Sequence, residues 1–218
     1  MGYDLYGISP QENKEFPKRY HEIMKEYGDG EGFLNWKENV PDEIKEEYWE
    51  IKDQYQKDNP GEYFRNNVWF WRPLWVFVCN NCADILNEDD MMGGESNSGY
   101  EISEHKAELI GRRLSALLAD GTVDEVDRIS ALDRAKAKAH NDEIKEQQNE
   151  IRDKVHKEHG KDVAPANYPE PYYTEWHNLQ KQEQWSAHYP FDKENIEDFA
   201  KFCLESGGFA FVNYAILY

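Results

Sequence analysis

From Val123 to His159 the chain runs for 37 residues without a glycine or a proline. At 1.5 Å per residue, an unbroken helix over that span would be about 55 Å long. A domain drawn from 218 residues cannot cover such a helix along its whole length. Its far end is therefore expected to project or to pair with another chain. The apolar seam is narrow: Val123, Val126, Ile129, Leu132, Ala135 and Ala139, thinning to Ile144, Ile151 and Val155. So few leucines make a poor coiled coil, yet residues 123–160 read as a helical arm through which copies of the chain could form a homo-oligomer. Residues 161–173, KDVAPANYPEPYY, are a proline-rich return loop, and Thr174 is expected to cap a short helix carrying Trp176 and Leu179.

The rest alternates helix and strand signals. Tyr3 to Ile8 alternates as a short strand, ended by Ser9-Pro10. From Pro17, Tyr20, Ile23, Met24 and Tyr27 recur at helical spacing until Gly28 and Gly30. Pro41 opens a second helix towards Asp58, with Ile44, Tyr48, Ile51 and Tyr55 on one face and Asn59-Pro60-Gly61 as its stop. These two form an acidic helical hairpin over 10–60. Tyr63 to Trp71 reads as a strand. Pro73 would then begin a helix that buries Leu74, Phe77, Val78, Cys82, Ile85 and Leu86. Residues 88–100 carry loop signals only. Ser103 caps a helix over about 104–119, closed by Gly121, and Asp192 caps another that ends at Gly207-Gly208. Phe209 to Tyr218 reads as a central strand. The fold class is α+β: one domain over 1–218, with a small antiparallel sheet covered by helices and a long projecting helical arm.

Charge and composition narrow the function. The formal charge is −19, and residues 1–64 carry 16 acids against 8 bases. That disfavours direct nucleic-acid binding through a basic face and admits either a solvated acidic surface or a mimic of a polyanion. No apolar run approaches the ~20 residues of a membrane span, and the start MGYDLYG lacks the basic and apolar regions of an export signal. A soluble, cytoplasmic protein is the expectation.

Candidate chemistry is sparse. Cys79 and Cys82 make a Cys-x-x-Cys pair, but no second ligand pair at zinc spacing accompanies them. Inside a helix they behave as small apolar residues, so no metal is assigned. His156, His159 and Asp153 share the arm by spacing alone. No phosphate loop, nucleophile elbow or other cofactor motif occurs, so no cofactor is assigned and binding is favoured over catalysis. The remaining candidate is GEYFRNNVWFWRPLW, Gly61 to Trp75, with three tryptophans, two phenylalanines and two arginines. As a strand it would set Arg65, Asn67, Trp69 and Trp71 on one face, with Arg72 at the turn into the next helix. Arg, Asn and indoles together could stack and hydrogen-bond a planar, nucleotide-like ligand. The same residues also read as a core strand, with the arginines paired to acids, and this is the favoured of the two. Both readings stand at this stage.

Three islands carry a resemblance: YDLYG at 3–7, the 61–75 segment, and YPF at 189–191 with the closing N-I-x-x-F-A-x-F-C-x-x-S-G-G-F at 195–209. They resemble a group of small uncharacterised proteins encoded by tailed bacteriophages. The match spans about half the chain, and the Arg-Asn-Asn and Trp-Arg-Pro-Leu-Trp strings are its most specific parts. The acidic hairpin and the arm look like additions to the common core. No established activity attaches to the group, so the resemblance implies an origin and transfers no catalytic residue. The expected function is that of a phage-encoded accessory protein in the host cell, binding a host or phage protein and countering or redirecting a host system through its acidic surface.

Overall fold

Alternation along the first residues is what builds the sheet. Tyr3 and Leu5 point inward and are buried in β1 (Gly2–Gly7), while Asp4 and Tyr6 face the other way. A computed structural model describes residues 2–30, 33–35, 40–96 and 98–212. The chain divides into two compact units, Met1–Asp120 with Glu194–Tyr218, and Gly121–Lys193.

In the first unit, β1 leads to the helical hairpin, α1 (Lys18–Tyr27) and α2 (Asp42–Asp58). Pro17 and Pro41 sit at the two N-caps, where a residue without an N–H costs least. Tyr20, Ile23, Leu34, Val40 and Tyr48 form the hairpin's own core. Buried Asn59 ends α2. Its Oδ1 accepts from the backbone N–H groups of Asn13 (2.7 Å) and Lys14 (3.0 Å), and its Nδ2 donates to the Lys14 and Tyr55 carbonyls. One side chain thus pins the entry of the hairpin to its exit.

Next come β2 (Tyr63–Asn67), α3 (Val68–Asn81), α4 (Glu88–Gly93), the two-residue β3 (Glu101–Ile102) and α5 (Glu104–Ala119). The sheet order is β2-β1-β4-β3, antiparallel throughout, where β4 is Phe209–Val212. The expected last strand beyond Val212 lies outside the described residues. Leu5 pairs with Phe64 on one side and Phe211 on the other, so the inner face is a row of large apolar side chains. Phe199 and Phe202 from the helix before β4 pack on that row, edge-on and tilted, against Phe64 and Phe209.

Two expectations are corrected here. The strand predicted over Tyr63 to Trp71 stops at Asn67, and Pro73 lies inside α3 instead of opening it. The cause is Asn67: its Oδ1 accepts from the N–H groups of Trp69 (3.0 Å) and Phe70 (3.2 Å), an N-cap six residues ahead of the proline. Pro73 removes one helical hydrogen bond, a cost offset by the burial of Trp71, Leu74 and Trp75. The second correction is α4, inside a region predicted as loop. Asn87 Oδ1 accepts from Asp90 N–H (2.9 Å) while Asp90 Oδ2 accepts from Asn87 N–H (2.8 Å), a reciprocal capping box.

The second unit contains α6 (Thr122–His159), a continuous helix of 38 residues as the absence of breakers predicts. After Gly160 the chain doubles back through a 3-10 turn at Pro165–Asn167, α7 (Tyr172–Gln180) and a second 3-10 turn at Trp185–His188. Ile151, Val155 and Tyr168 form the core of this unit, with Trp176 and Leu179 against them. The return segment reaches as far as Asn141, whose side chain exchanges two hydrogen bonds with Gln184. Ala137, Ile144, Gln148, Ile151 and Val155 are accordingly buried, whereas residues 131–136 are all exposed. The last helix, α8 (Lys193–Glu205), returns the chain to the first unit, ending at two glycines with positive φ, Gly207 (59°) and Gly208 (88°).

Candidate functional site

The helical start at Asn67 re-sorts the aromatic segment. In a strand, Trp69 and Trp71 would share a face; in a helix they stand about 200° apart. Trp71 (1% exposed) and Trp75 (2%) turn inward, and Trp69 (40%) turns out.

The inward side is a three-ring stack. Tyr3 stacks with Trp71 at 5.1 Å and 24°, and Trp75 stacks with it at 5.3 Å and 17°. Trp71 is left with almost no exposed surface, and Phe199 and Phe211 meet it edge-on. Each polar tip of the stack finds a backbone carbonyl around the end of α4. Trp75 Nε1 donates to Met91 (2.9 Å), Trp71 Nε1 to Gly94 (2.7 Å), and Tyr3 Oη to Glu95 (2.7 Å). Gly94 is required by this approach, since a Cβ there would lie 2.0 Å from Trp75 Cε2. Burial raises the Tyr3 hydroxyl pKa, opposed by Arg72 and reinforced by Glu95. A shallow cleft of about 300 Å³ opens beside the stack, lined by Tyr3, Trp71, Arg72, Trp75, Val76, Gly94 and Glu95. The two indoles contribute almost no accessible surface to it, so the stack is core and the cleft takes its character from Arg72, Val76 and Glu95.

The outward side of α3 is different. Trp69, Arg72 and Val76 follow at i, i+3 and i+7, one line along the helix. All three are exposed, Val76 to 58%. Arg72 sits four residues into the helix, not at the strand-to-helix turn where the sequence predicts it.

Arg65 belongs to another place. It extends from the outer face of the sheet, where its Nε lies 3.6 Å from Asp4 Oδ1, and the Tyr63 hydroxyl donates to the same carboxylate. Burial, then that hydrogen bond, raise the Tyr63 pKa. A groove of about 560 Å³ runs between α2, β2 and α8. Lys57, Arg65 and Lys201 border it, interleaved with Asp53 and Asp198, and Tyr63, Phe64, Pro60, Gln56 and Asn195 complete its wall. Lys201 already pairs with Asp198 at 3.3 Å. The Asn195 Oδ1 accepts from buried Asn66 at 2.7 Å, which ties β2 to the first turn of α8.

The five residues singled out by sequence thus separate. Asn67 is a helix cap, Trp71 is core, Trp69 and Arg72 lie on the outer face of α3, and Arg65 borders a groove on the sheet side. Lys57, Lys201 and Asn195 were not foreseen beside Arg65; only the sheet order brings α2, β2 and α8 together, and no local pattern announces that.

The cysteines are free thiols, Cys79 half-buried within α3 and Cys82 buried at its C-cap, with Cys203 buried in α8. Burial pushes Cys79 and Cys82 up to about 11 and Cys203 well above its ordinary value, which keeps all three protonated at neutral pH. Among the described residues, no three or more His, Cys, Asp or Glu side chains are placed to share a metal ion, and no helix is long and apolar enough to cross a membrane. Comparison with protein-family models, with curated proteins and with solved structures finds no match to this chain.

Proposed function

We propose that this protein works by binding another protein, and that the outer face of α3 is the contact surface. The observation that carries this reading is the sorting of the aromatic segment. The inner indoles are locked in a stack with every N–H satisfied, while Trp69 and Val76 stay exposed on either side of Arg72. Trp and Arg dominate the energetics of protein interfaces, and a helix held rigidly from behind presents them at little ordering cost. The partner would set an apolar side chain against Trp69 and Val76 and an oxygen acceptor against Arg72. The charge of −19 would steer a partner that is basic around that contact. With the resemblance to tailed-phage proteins, the reading extends to an accessory protein made in the host cytoplasm that counters or redirects a host system.

The test compares capture by three immobilised chains from host lysate: wild type, Trp69→Ala/Val76→Ser, and Glu183→Gln as a distant surface control. A protein retained by wild type and control but lost from the double variant supports the reading. Equal retention by all three, or none by any, overturns it.

A second reading rests on the Arg65 groove, where Lys57, Arg65 and Lys201 share the wall with Asp53, Asp198, Tyr63 and Asn195. That chemistry suits a small anionic ligand such as a nucleotide. A ligand at about 100 times its Kd would add ~2.7 kcal/mol of stability. A flat melting temperature against nucleoside mono-, di- and triphosphates rejects this reading and leaves the first intact.

A further inference from the structure

The uncovered half of α6 is complementary to itself. Glu125, Ile129, Leu132 and Lys136 are spaced four, three and four residues apart, the spacing that lines side chains along one stripe of a helix. Ile129 is 45% exposed and Leu132 52% exposed, and both charged ends of the stripe are open to solvent. The stripe reads acid, apolar, apolar, base. Beside a parallel copy in register, like charge would face like charge. Beside an antiparallel copy, Glu125 faces Lys136, Ile129 faces Leu132, and each pairing occurs twice about a twofold axis between residues 130 and 131. A twofold interface has to be self-complementary in this way: if residue i meets j, then j meets i.

We propose that this stripe is the seam of an antiparallel homodimer, the occupant of each exposed helix face being a second copy of this chain. Charge complementarity selects the occupant and its direction together. The existing partners of the charged ends do not compete strongly. Glu125 pairs with Arg128 (2.7 Å) and Lys136 with Asp133 (3.1 Å), both within one turn of the same exposed helix. Such exposed pairs within one helix are weak, so either side chain can reach across at small cost. Two apolar residues per chain over about three turns fall well below the ~1,200 Å² of a standard interface. The dimer is therefore weak and forms only at high protein concentration. It is independent of the α3 surface proposed above.

Sedimentation equilibrium on the full chain across ~10–300 µM tests this. The mass should rise from 25.8 kDa towards twice that value. Glu125→Lys and Lys136→Glu should each set like charges opposite one another and weaken association by at least about tenfold. The double swap Glu125→Lys/Lys136→Glu should restore it, and Leu132→Asp should abolish it. All three substituted positions are exposed, so far-ultraviolet circular dichroism should be unchanged. A monomer at the highest concentration overturns the proposal, and so does a dimer indifferent to the single charge reversals or one that the double swap fails to rescue. Trp69→Ala/Val76→Ser should leave the dimer intact; its loss in that variant alone would move the seam to α3 and overturn the assignment to α6.

Discussion

The aromatic core of the first unit and the core under the long helix of the second solve the same problem with different completeness. Around Trp71 almost no indole surface is left exposed and every polar tip, Trp71 Nε1, Trp75 Nε1 and Tyr3 Oη, donates to a carbonyl. Under α6, Tyr168 Oη and His177 Nδ1 are buried without a hydrogen-bond partner among the described residues. A buried polar atom left unsatisfied costs about 1–3 kcal/mol. In the first unit, the hairpin leaves Tyr48 Oη unsatisfied as well, so the contrast lies between the Trp71 stack and the core under α6, where half of the main helix is left open.

The largest effect that could break this contrast is at the centre of the stack. Trp71→Ala would open a cavity touching Tyr3, Trp75, Phe199 and Phe211 and strand the Gly94 carbonyl. A loss of about 3–5 kcal/mol is expected, enough to unfold a protein of ordinary stability, as measured by urea titration. A loss below ~1 kcal/mol would mean that the stack is not the centre of the core.

The first unit also buries a charge, and here pH provides the reading. Asp90 is 2% exposed. Burial raises its pKa, but Lys106, the Asn87 N–H and the Tyr100 hydroxyl together outweigh that and hold the carboxyl below its ordinary value. A depressed folded-state pKa contributes stability that is present above the unfolded value of about 3.9 and lost as pH falls through the folded one. Asp90→Ala should cost about 3 kcal/mol at pH 7 by stranding Lys106 and the α4 cap. The gap between Asp90→Ala and wild type in urea midpoint should narrow below about pH 4; a gap independent of pH down to 2 would show that the charge of Asp90 plays no part.

A smaller and sharper comparison uses the same substitution in both units. Tyr3→Phe removes a hydroxyl bonded to the Glu95 carbonyl and should cost about 1 kcal/mol. Tyr168→Phe removes one with no partner and should be neutral or slightly stabilising. Equal losses in the two variants would erase the distinction between the cores.

These contrasts trace back to which parts of the chain are legible residue by residue. The helices α1, α2, α5 and α6 follow from periodicity bounded by Pro17, Pro41, Gly28, Gly121 and Gly160, because a single local interaction decides each boundary. The path from β2 into α3 is misread because Val, Trp and Phe favour strands while Pro73 imitates a helix start. The signal that decides it is Asn67, a side-chain acceptor placed two and three residues before the N–H groups it caps. Asn87 and Asp90 give a similar unread signal for α4, and β3 is too short for any periodicity. For the candidate site, alternation sets Arg65 and Asn67 on one face of β2, and only the structure shows that this face is the exposed one. Sorting Trp69 from Trp71 depends on a switch of period at Asn67, and the groove around Arg65 depends on sheet order.

A comparably small effect on stability is expected at Arg65, in the same segment as Trp71. Its side chain is 71% exposed and 3.6 Å from Asp4, and the Asp4 carboxylate keeps the Tyr63 hydroxyl when the guanidinium is removed. An exposed pair of this kind contributes between nothing and ~1 kcal/mol, so Arg65→Ala should shift the urea midpoint barely, with Asp4 still hydrogen-bonded. The same variant removes one of three cations from the groove with Lys57 and Lys201. If a nucleotide raises the melting temperature of wild type and not of Arg65→Ala, the groove is a ligand site carried by a residue almost irrelevant to folding. If Arg65→Ala instead destabilises by as much as Trp71→Ala, Arg65 is part of the framework, and the division of this segment into a buried core and a working surface fails at its outermost residue.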